Sequence, residues 1–289
     1  GAPASARVLG APDIKVSTRA VGASLSITLG DGALDPAASV IVLEWAGEPA
    51  IVGTPELIGG DDLFLHETEL AFKPPAAGSI HVTLDATAPT IDSPRYTVPI
   101  NVQRTTQVRA RTFVDGVPAG EAFEAILRRA EWIPGSDDVP PEPGVSWTLM
   151  PGRFERVPTQ EPWRGAGLVR GTANAIELPS TRPADAFALR IDGFIHCDQA
   201  GIHAFTLESD DGSTLEIDGH PIVDHDGLHG PTRMTGKAAL DLGWHRFTIR
   251  YIEADGGESL KLLWTTPKDE PGSAPRPIDA TLLRHEPAR

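Results

Sequence analysis

The feature that most constrains this chain is a two-residue hydrophobic alternation that recurs from end to end. Leu25, Ile27 and Leu29 alternate with Ser and Thr, Ile80 and Val82 with His and Thr, Phe187, Leu189 and Ile191 with Ala and Arg, and Phe247, Ile249 and Tyr251 with Thr and Arg. Successive strand side chains point to opposite faces, so this period buries one face and wets the other. Glycine, proline or aspartate closes each run; the chain has 29 glycines and 27 prolines among 289 residues. Short strands punctuated in this way predict an all-β chain of tandem β-sandwich domains. One stretch has helical spacing: in residues 119–129, Ala122, Phe123, Ile126 and Leu127 lie three and four apart. It reads as a short helix or as a strand end plus a turn.

From Pro134 to Gly144, eleven residues hold four prolines and two glycines, with Val139 as the apolar residue. Such a segment lacks the mass for a core and reads as a semi-rigid linker over 134–144. It parts the chain into 1–133 and 145–289. Lys plus Arg is 25 against 40 Asp plus Glu, a formal charge of −15. That charge repels phosphate backbones and anionic lipid surfaces, so no nucleic-acid partner is expected. No run approaches the ~18 apolar residues of a membrane span. A single cysteine, Cys197, excludes internal disulfides and zinc sites of paired thiolates; its strand-like context reads as a buried thiol.

The C-terminal half is richest in signals. Phe187-Ala-Leu-Arg-Ile-Asp-Gly-Phe-Ile195, Ala200-Gly-Ile-His-Ala-Phe-Thr-Leu207, Ser209-Asp-Asp-Gly-Ser-Thr-Leu-Glu-Ile-Asp-Gly219, Val223-Asp-His-Asp-Gly-Leu-His-Gly230 and Gly243-Trp-His-Arg-Phe-Thr-Ile-Arg-Tyr251 follow one another, and Leu260-Lys-Leu-Leu-Trp264 closes the series. Asp210-Asp211-Gly212 and Asp218-Gly219 read as turns, with glycine supplying positive φ. In order and spacing these strings resemble the protective-antigen-type (PA14) domain, over 145–289. The resemblance implies a β-sandwich found beside carbohydrate-active enzymes and in adhesins, and a glycan partner. It also implies that Asp210 and Asp211 hold a Ca²⁺ that bridges to sugar hydroxyls. Ca²⁺ is a hard cation that takes several oxygen ligands. The adhesins add an asparagine from a second loop, which this chain lacks, and Asp224, His225 and Asp226 are the nearest replacement. The expected carbohydrate site is therefore Trp163, Asp210, Asp211, Asp224, His225 and Asp226, with Asp210, Asp211, Asp224 and Asp226 as metal ligands. The competing reading of Asp210 and Asp211 is a tight turn without metal. His220, His225 and His229 form a local cluster that reads as solvated or as a transition-metal site. Trp163, in Glu-Pro-Trp-Arg-Gly, is the expected exposed stacking ring, whereas Trp244 and Trp264 read as core.

In the N-terminal half, Ser79-Ile-His-Val-Thr-Leu-Asp85, Ala86-Thr-Ala-Pro-Thr90, Ser93-Pro-Arg-Tyr-Thr-Val-Pro-Ile100 and Thr105–Phe113 are similar to the fibronectin-III-like domain that ends chitobiases and β-hexosaminidases. That likeness covers 51–133 and implies a spacer. Residues 1–50, with Ser24-Leu-Ser-Ile-Thr-Leu29 and Asp35-Pro-Ala-Ala-Ser-Val-Ile-Val-Leu-Glu-Trp45, resemble the β-rich tail of family 29 α-L-fucosidases. So short a segment offers little core and is expected to pair with residues 51–130 or with a partner carrying a catalytic barrel.

No Gly-x-Ser-x-Gly elbow, phosphate loop or dinucleotide fingerprint occurs, and His66-Glu-Thr-Glu-Leu70 fails the His-Glu-x-x-His pattern. No catalytic domain is recognised. The sequence reads as a non-catalytic carbohydrate-binding region of a secreted or periplasmic glycoside hydrolase, an α-L-fucosidase by resemblance. The alternative is a spacer or oligomerisation module without glycan affinity.

Overall fold

The computed structural model describes residues 2–21, 24–32, 34, 38–47, 52–158, 163 and 167–287. Residues 35–37 and 48–50 of the tail, and 161–162 and 164–165 beside Trp163, lie outside the described residues. The chain divides into two compact units, residues 1–129 and 130–289.

The first unit runs β1 (Ser5–Val8), β2 (Val16–Val21), β3 (Ser24–Leu29), β4 (Ile41–Glu44), β5 (Leu57–Gly59), β6 (Leu63–Phe64), β7 (Thr68–Phe72), β8 (Ser79–Thr83), β9 (Ile100–Val102), β10 (Thr106–Val114) and β11 (Val117–Arg129). β1 pairs with β4 and β2 with β3, and among the described residues neither pair extends a larger sheet. The expected strand pairing with residues 51–130 is therefore not seen. Sheets β5-β7-β9 and β6-β11-β10-β8 contribute a core around Leu70, Phe72, Ile80, Val108 and Leu127. The helical reading of 119–129 is corrected: the segment is strand β11, hairpinned to β10 through Asp115 and Gly116, both at positive φ. The misleading period has a structural cause. Ala119 faces Thr112 and Phe123 faces Ala110, so four steps along β11 match two along β10. This irregularity puts Ala119, Phe123 and Leu127 on the core at a spacing of four.

The second unit holds β12 (Trp132–Ile133), β13 (Glu142–Pro143), β14 (Val145–Pro151), β15 (Val169–Ala173), β16 (Phe187–Cys197), β17 (Gly201–Asp210), β18 (Ser213–Ile217), β19 (His220–His225), β20 (Thr232–Leu240), β21 (Gly243–Glu253), β22 (Ser259–Thr265), β23 (Arg276–Pro277) and β24 (Leu283–His285). One sheet has the order β12-β20-β17-β22-β23. The other runs β13-β24-β16-β21-β18-β19, with β14 also on β16 and β15 beyond it. Their facing sides bury Phe187, Ile191, Phe205, Leu207, Tyr251 and Trp264 in one core. This is the expected sandwich, and the described chain is all-β apart from short 3₁₀ turns.

Segment 134–144 is not a free linker. Ile133 is buried in the sandwich core, and Ser136 exchanges backbone hydrogen bonds of 2.8 and 3.0 Å with Trp244. Arg284 donates to the carbonyls of Pro140 and Pro141. Gly135 sits where a Cβ would lie 2.0 Å from the Leu242 oxygen. Proline-rich composition stiffens this stretch, and the sheet edges beside it use that stiffness. Cys197 is buried as read; desolvation, helped by the charges of Asp198 and Asp218, pushes its thiol up to about 12.

Candidate functional site

The site forms where β17 hands over to β18. The Asp210–Asp211 peptide is cis. Asp211 is buried, at 7% exposure, because both its oxygens accept backbone amides from other segments. Oδ1 takes the His229 N–H at 2.9 Å, and Oδ2 takes the Ala254 N–H at 3.1 Å. One carboxylate thus fastens the 226–231 loop and the end of β21 to this corner. Gly212 follows, and its φ is not positive. A Cβ there would lie 2.6 Å from the oxygen and 2.7 Å from the nitrogen of Gly227. Close approach of the loop, rather than turn geometry, requires glycine at 212. At Asp218-Gly219 the expected positive-φ hairpin turn is present.

Asp210 is half-buried, and its carboxylate accepts no hydrogen bond among the described residues. Desolvation first, then the neighbouring Asp211 charge, raises its pKa above the ordinary carboxylate value. Behind it stands Glu253, fully buried. The Tyr251 hydroxyl contacts both Glu253 Oε2, at 2.7 Å, and the Asp210 carbonyl. Glu253 Oε1 has no partner. Burial, together with the charges of Asp211 and Asp210, pushes the Glu253 carboxyl up to about 7. Three acidic groups therefore converge here without a cationic side chain at hydrogen-bond distance from Asp210 or Glu253 among the described residues. Sequence reasoning missed Tyr251 and Glu253. Their signal was present: two residues apart on one strand, they share the inward face.

The other expected ligands point elsewhere. β19 pairs with β18 so that Ser213 faces His225 and Thr214 faces Asp224. Asp226 Oδ1 accepts the amides of Val157 and Gly227 at 2.7 and 2.8 Å, and Oδ2 pairs with Arg156 at 3.2 Å. Asp224 is exposed and accepts the Asp226 amide at 3.3 Å. Both line a cleft of about 370 Å³ with Val157, Thr214, Glu216 and Arg250. The expectation that Asp224 and Asp226 join Asp210 and Asp211 around one ion is therefore corrected: among the described residues no three His, Cys, Asp or Glu side chains are grouped to share a metal. His225 stacks on His229 with ring centroids 4.0 Å apart, and Thr232 Oγ1 bonds both rings, at 3.0 and 3.2 Å. Desolvation and then the His229 charge lower the His225 pKa. The pair braces the loop that carries the His229 amide. His220, at the other end of β19, takes no part in it.

Trp163 is also corrected. It is 5% exposed and packs on Ala188 and Ile252, with Met150, Phe154 and Val157 around it. Its Nε1 donates to the Pro158 carbonyl at 3.3 Å. Ala188 and Ile252 are the outward residues at one end of β16 and β21, and the ring covers that apolar end. Trp264 is core, as read, whereas Trp244 is half-buried against His196.

Residues 171–275 match the family described as PA14 domain, and residues 66–124 match the chitobiase/beta-hexosaminidase C-terminal domain. A β-hexosaminidase of Porphyromonas gingivalis is 26% identical over 219 residues, which cover 70% of this chain and 27% of that protein. The chain thus spans about a quarter of that relative. Among solved structures, the PA14 domain of the MpAFP antifreeze protein aligns at a TM-score of 0.43 and 15% identity, over 53% of this chain and 97% of that one. The epithelial adhesin 9 A domain of Candida glabrata, in complex with Galb1-4GlcNAc, aligns at 0.41 and 10% identity, over 53% and 95%.

Proposed function

We propose that this chain is a non-catalytic carbohydrate-binding region of a secreted glycoside hydrolase and that its sugar site is the Asp210–Asp211 corner. The Asp210 carboxylate supports this reading most directly. It is half-buried and unpartnered, and it lies beside a second carboxylate that two amides hold in place. Nature rarely leaves two such charges together without a counter-ion. The donor set fits Ca²⁺, which takes oxygen ligands in flexible geometry. Asp210 and Asp211 would hold the ion. Backbone carbonyls, water and sugar hydroxyls would complete it, since Asp224 and Asp226 face away. Bound there, Ca²⁺ supplies a Lewis-acidic centre for vicinal hydroxyls. Asp211 fixes both flanking loops, and Asp210 supplies the free charge.

The tail resemblance in residues 1–50 favours an α-L-fucosidase as the enzyme served. A second reading, a β-hexosaminidase, is favoured by the matched relative and by the family matched at 66–124. Titration calorimetry of the whole chain with fucose, galactose and N-acetyllactosamine, with Ca²⁺ or with chelator, tests the site. Binding should require Ca²⁺ and vanish in Asp210→Asn. Saturating the ion at a hundredfold excess over Kd should add roughly 2.7 kcal/mol of stability. Sugar binding unaffected by chelator, or a melting temperature flat across a Ca²⁺ titration, would overturn the calcium site.

A further inference from the structure

A second group of residues stands on the outer face of the β16–β21 sheet, away from the Asp210 corner. Strand register places it. Thr148 of β14 faces Arg170 of β15, Ser146 faces Asp192 of β16, Asp192 faces Thr248 of β21, and Phe194 faces Arg246. These are the residues that alternate outward from the buried Leu149, Ile191, Ile195 and Phe247. All of them but Thr248 line a cleft of about 520 Å³ where β16 changes its edge partner. β14 covers β16 as far as Asp192 and β24 begins at Phe194, so one strand leaves and another arrives across Gly193.

The cleft's charge is sorted. Asp192 is neutralised by Arg190, whose two nitrogens reach it at 2.7 and 2.8 Å, and it also accepts Thr248 Oγ1 at 2.8 Å. Glu216, in the adjoining outward row, is taken up by Arg250 at 2.7 and 3.2 Å. Arg170 and Arg246 are both exposed, and their guanidinium groups have no hydrogen bond or ion pair among the described residues, although the Arg246 backbone N–H donates to Asp218 Oδ1 at 2.8 Å. The carboxylate of Glu286 stands at the rim. Two guanidinium groups free of protein partners thus flank one cleft in a chain of net charge −15. Phe194, half-buried beside Arg246, offers an apolar face, and Ser146 and Thr148 offer hydroxyls.

We propose that this cleft is a second saccharide site, selective for a sugar that carries a carboxylate, a uronic acid. Planar guanidinium forks match a carboxylate bidentately. The Phe194 ring packs against the C–H face of the pyranose, and the hydroxyls of Ser146 and Thr148 meet its own hydroxyls. One carboxylate balances the cleft, whereas a densely charged polyanion meets the repulsion of the whole chain. No metal enters this site, so it is independent of the Asp210 corner.

Methyl β-D-glucuronide and methyl β-D-glucoside, titrated against the whole chain, test the proposal. The glucuronide should bind and the glucoside should not. Arg246→Gln and Arg170→Gln should each weaken glucuronide binding about tenfold, the size of one lost charge-assisted hydrogen bond. Glu286→Gln should strengthen it. Both arginines are exposed, so the variants should melt with the parent. Chelator and Asp210→Asn should leave glucuronide binding unchanged, which separates this site from the calcium site. Absence of glucuronide binding, equal binding of the glucoside, or arginine variants that bind like the parent would overturn it.

Discussion

Asp211 and Asp210 are neighbours with opposite duties, and substitution should separate them. Asp211→Ala removes the acceptor of one buried and one partly buried amide and should cost about 2–3 kcal/mol in urea unfolding, in chelator. Asp210→Asn, measured in the same way, should be neutral or stabilising, because it relieves the repulsion that raises the Asp210 pKa. Glu253 sets a pH dependence. Its carboxyl titrates near 7 in the fold against an ordinary 4.5, so between those values the folded state binds more protons than the unfolded chain. Stability then falls as pH rises through that window and stays low above it. Glu253→Gln, with chelator present, should abolish the fall. The variant should exceed the parent above pH 7 and converge with it near pH 4. A parallel pair of stability–pH curves would refute the assignment. Adjacent aspartates followed by glycine were legible in the sequence because adjacency is a local property. The fates of Trp163 and Asp226 were not. Asp226 is claimed by Arg156 and Val157, some seventy residues away, and Trp163 by Ala188 and Ile252.

Among elements, the long strands β16, β17 and β21 were readable because each carries several alternations between a wet and a dry face. β12 and β13 were not, since two residues cannot display a period. β11 misled, because its irregularity on β10 mimics helical spacing. β20 hides behind small and polar residues, yet its Gly236 sits against β19 with no room for a side chain. A Cβ built on Gly236 would lie 1.8 Å from the Ile222 carbonyl oxygen, so the approach of β19 to β20 depends on the missing side chain. Gly236→Ala should therefore cost about 3 kcal/mol or more. Gly230→Ala, where a Cβ meets nothing within 4 Å and φ is not positive, should be silent. Thermal melts of the two variants make the comparison, and equal melting temperatures would show that β19 yields.

At the scale of the whole chain, composition suggested a linker over 134–144 between 1–133 and 145–289, but the second unit begins at 130. Residues 130–289 should therefore fold as one piece, and a piece starting at 145 should melt at least about 5 °C lower. It loses the buried Ile133, the β12 and β13 pairings and both carbonyls that hold Arg284. Equal melting would return 134–144 to the status of a tether. The pairing of β13 with β24 has a mechanical side. Glu142 sits opposite His285 and Pro143 opposite Arg284, so chain entering at 141 and chain leaving at 286 lie side by side. Tension applied at those two points peels this short ladder one rung at a time instead of shearing the sandwich. The first rungs give way at low force, while the Asp210 corner, off the line of load, keeps its shape.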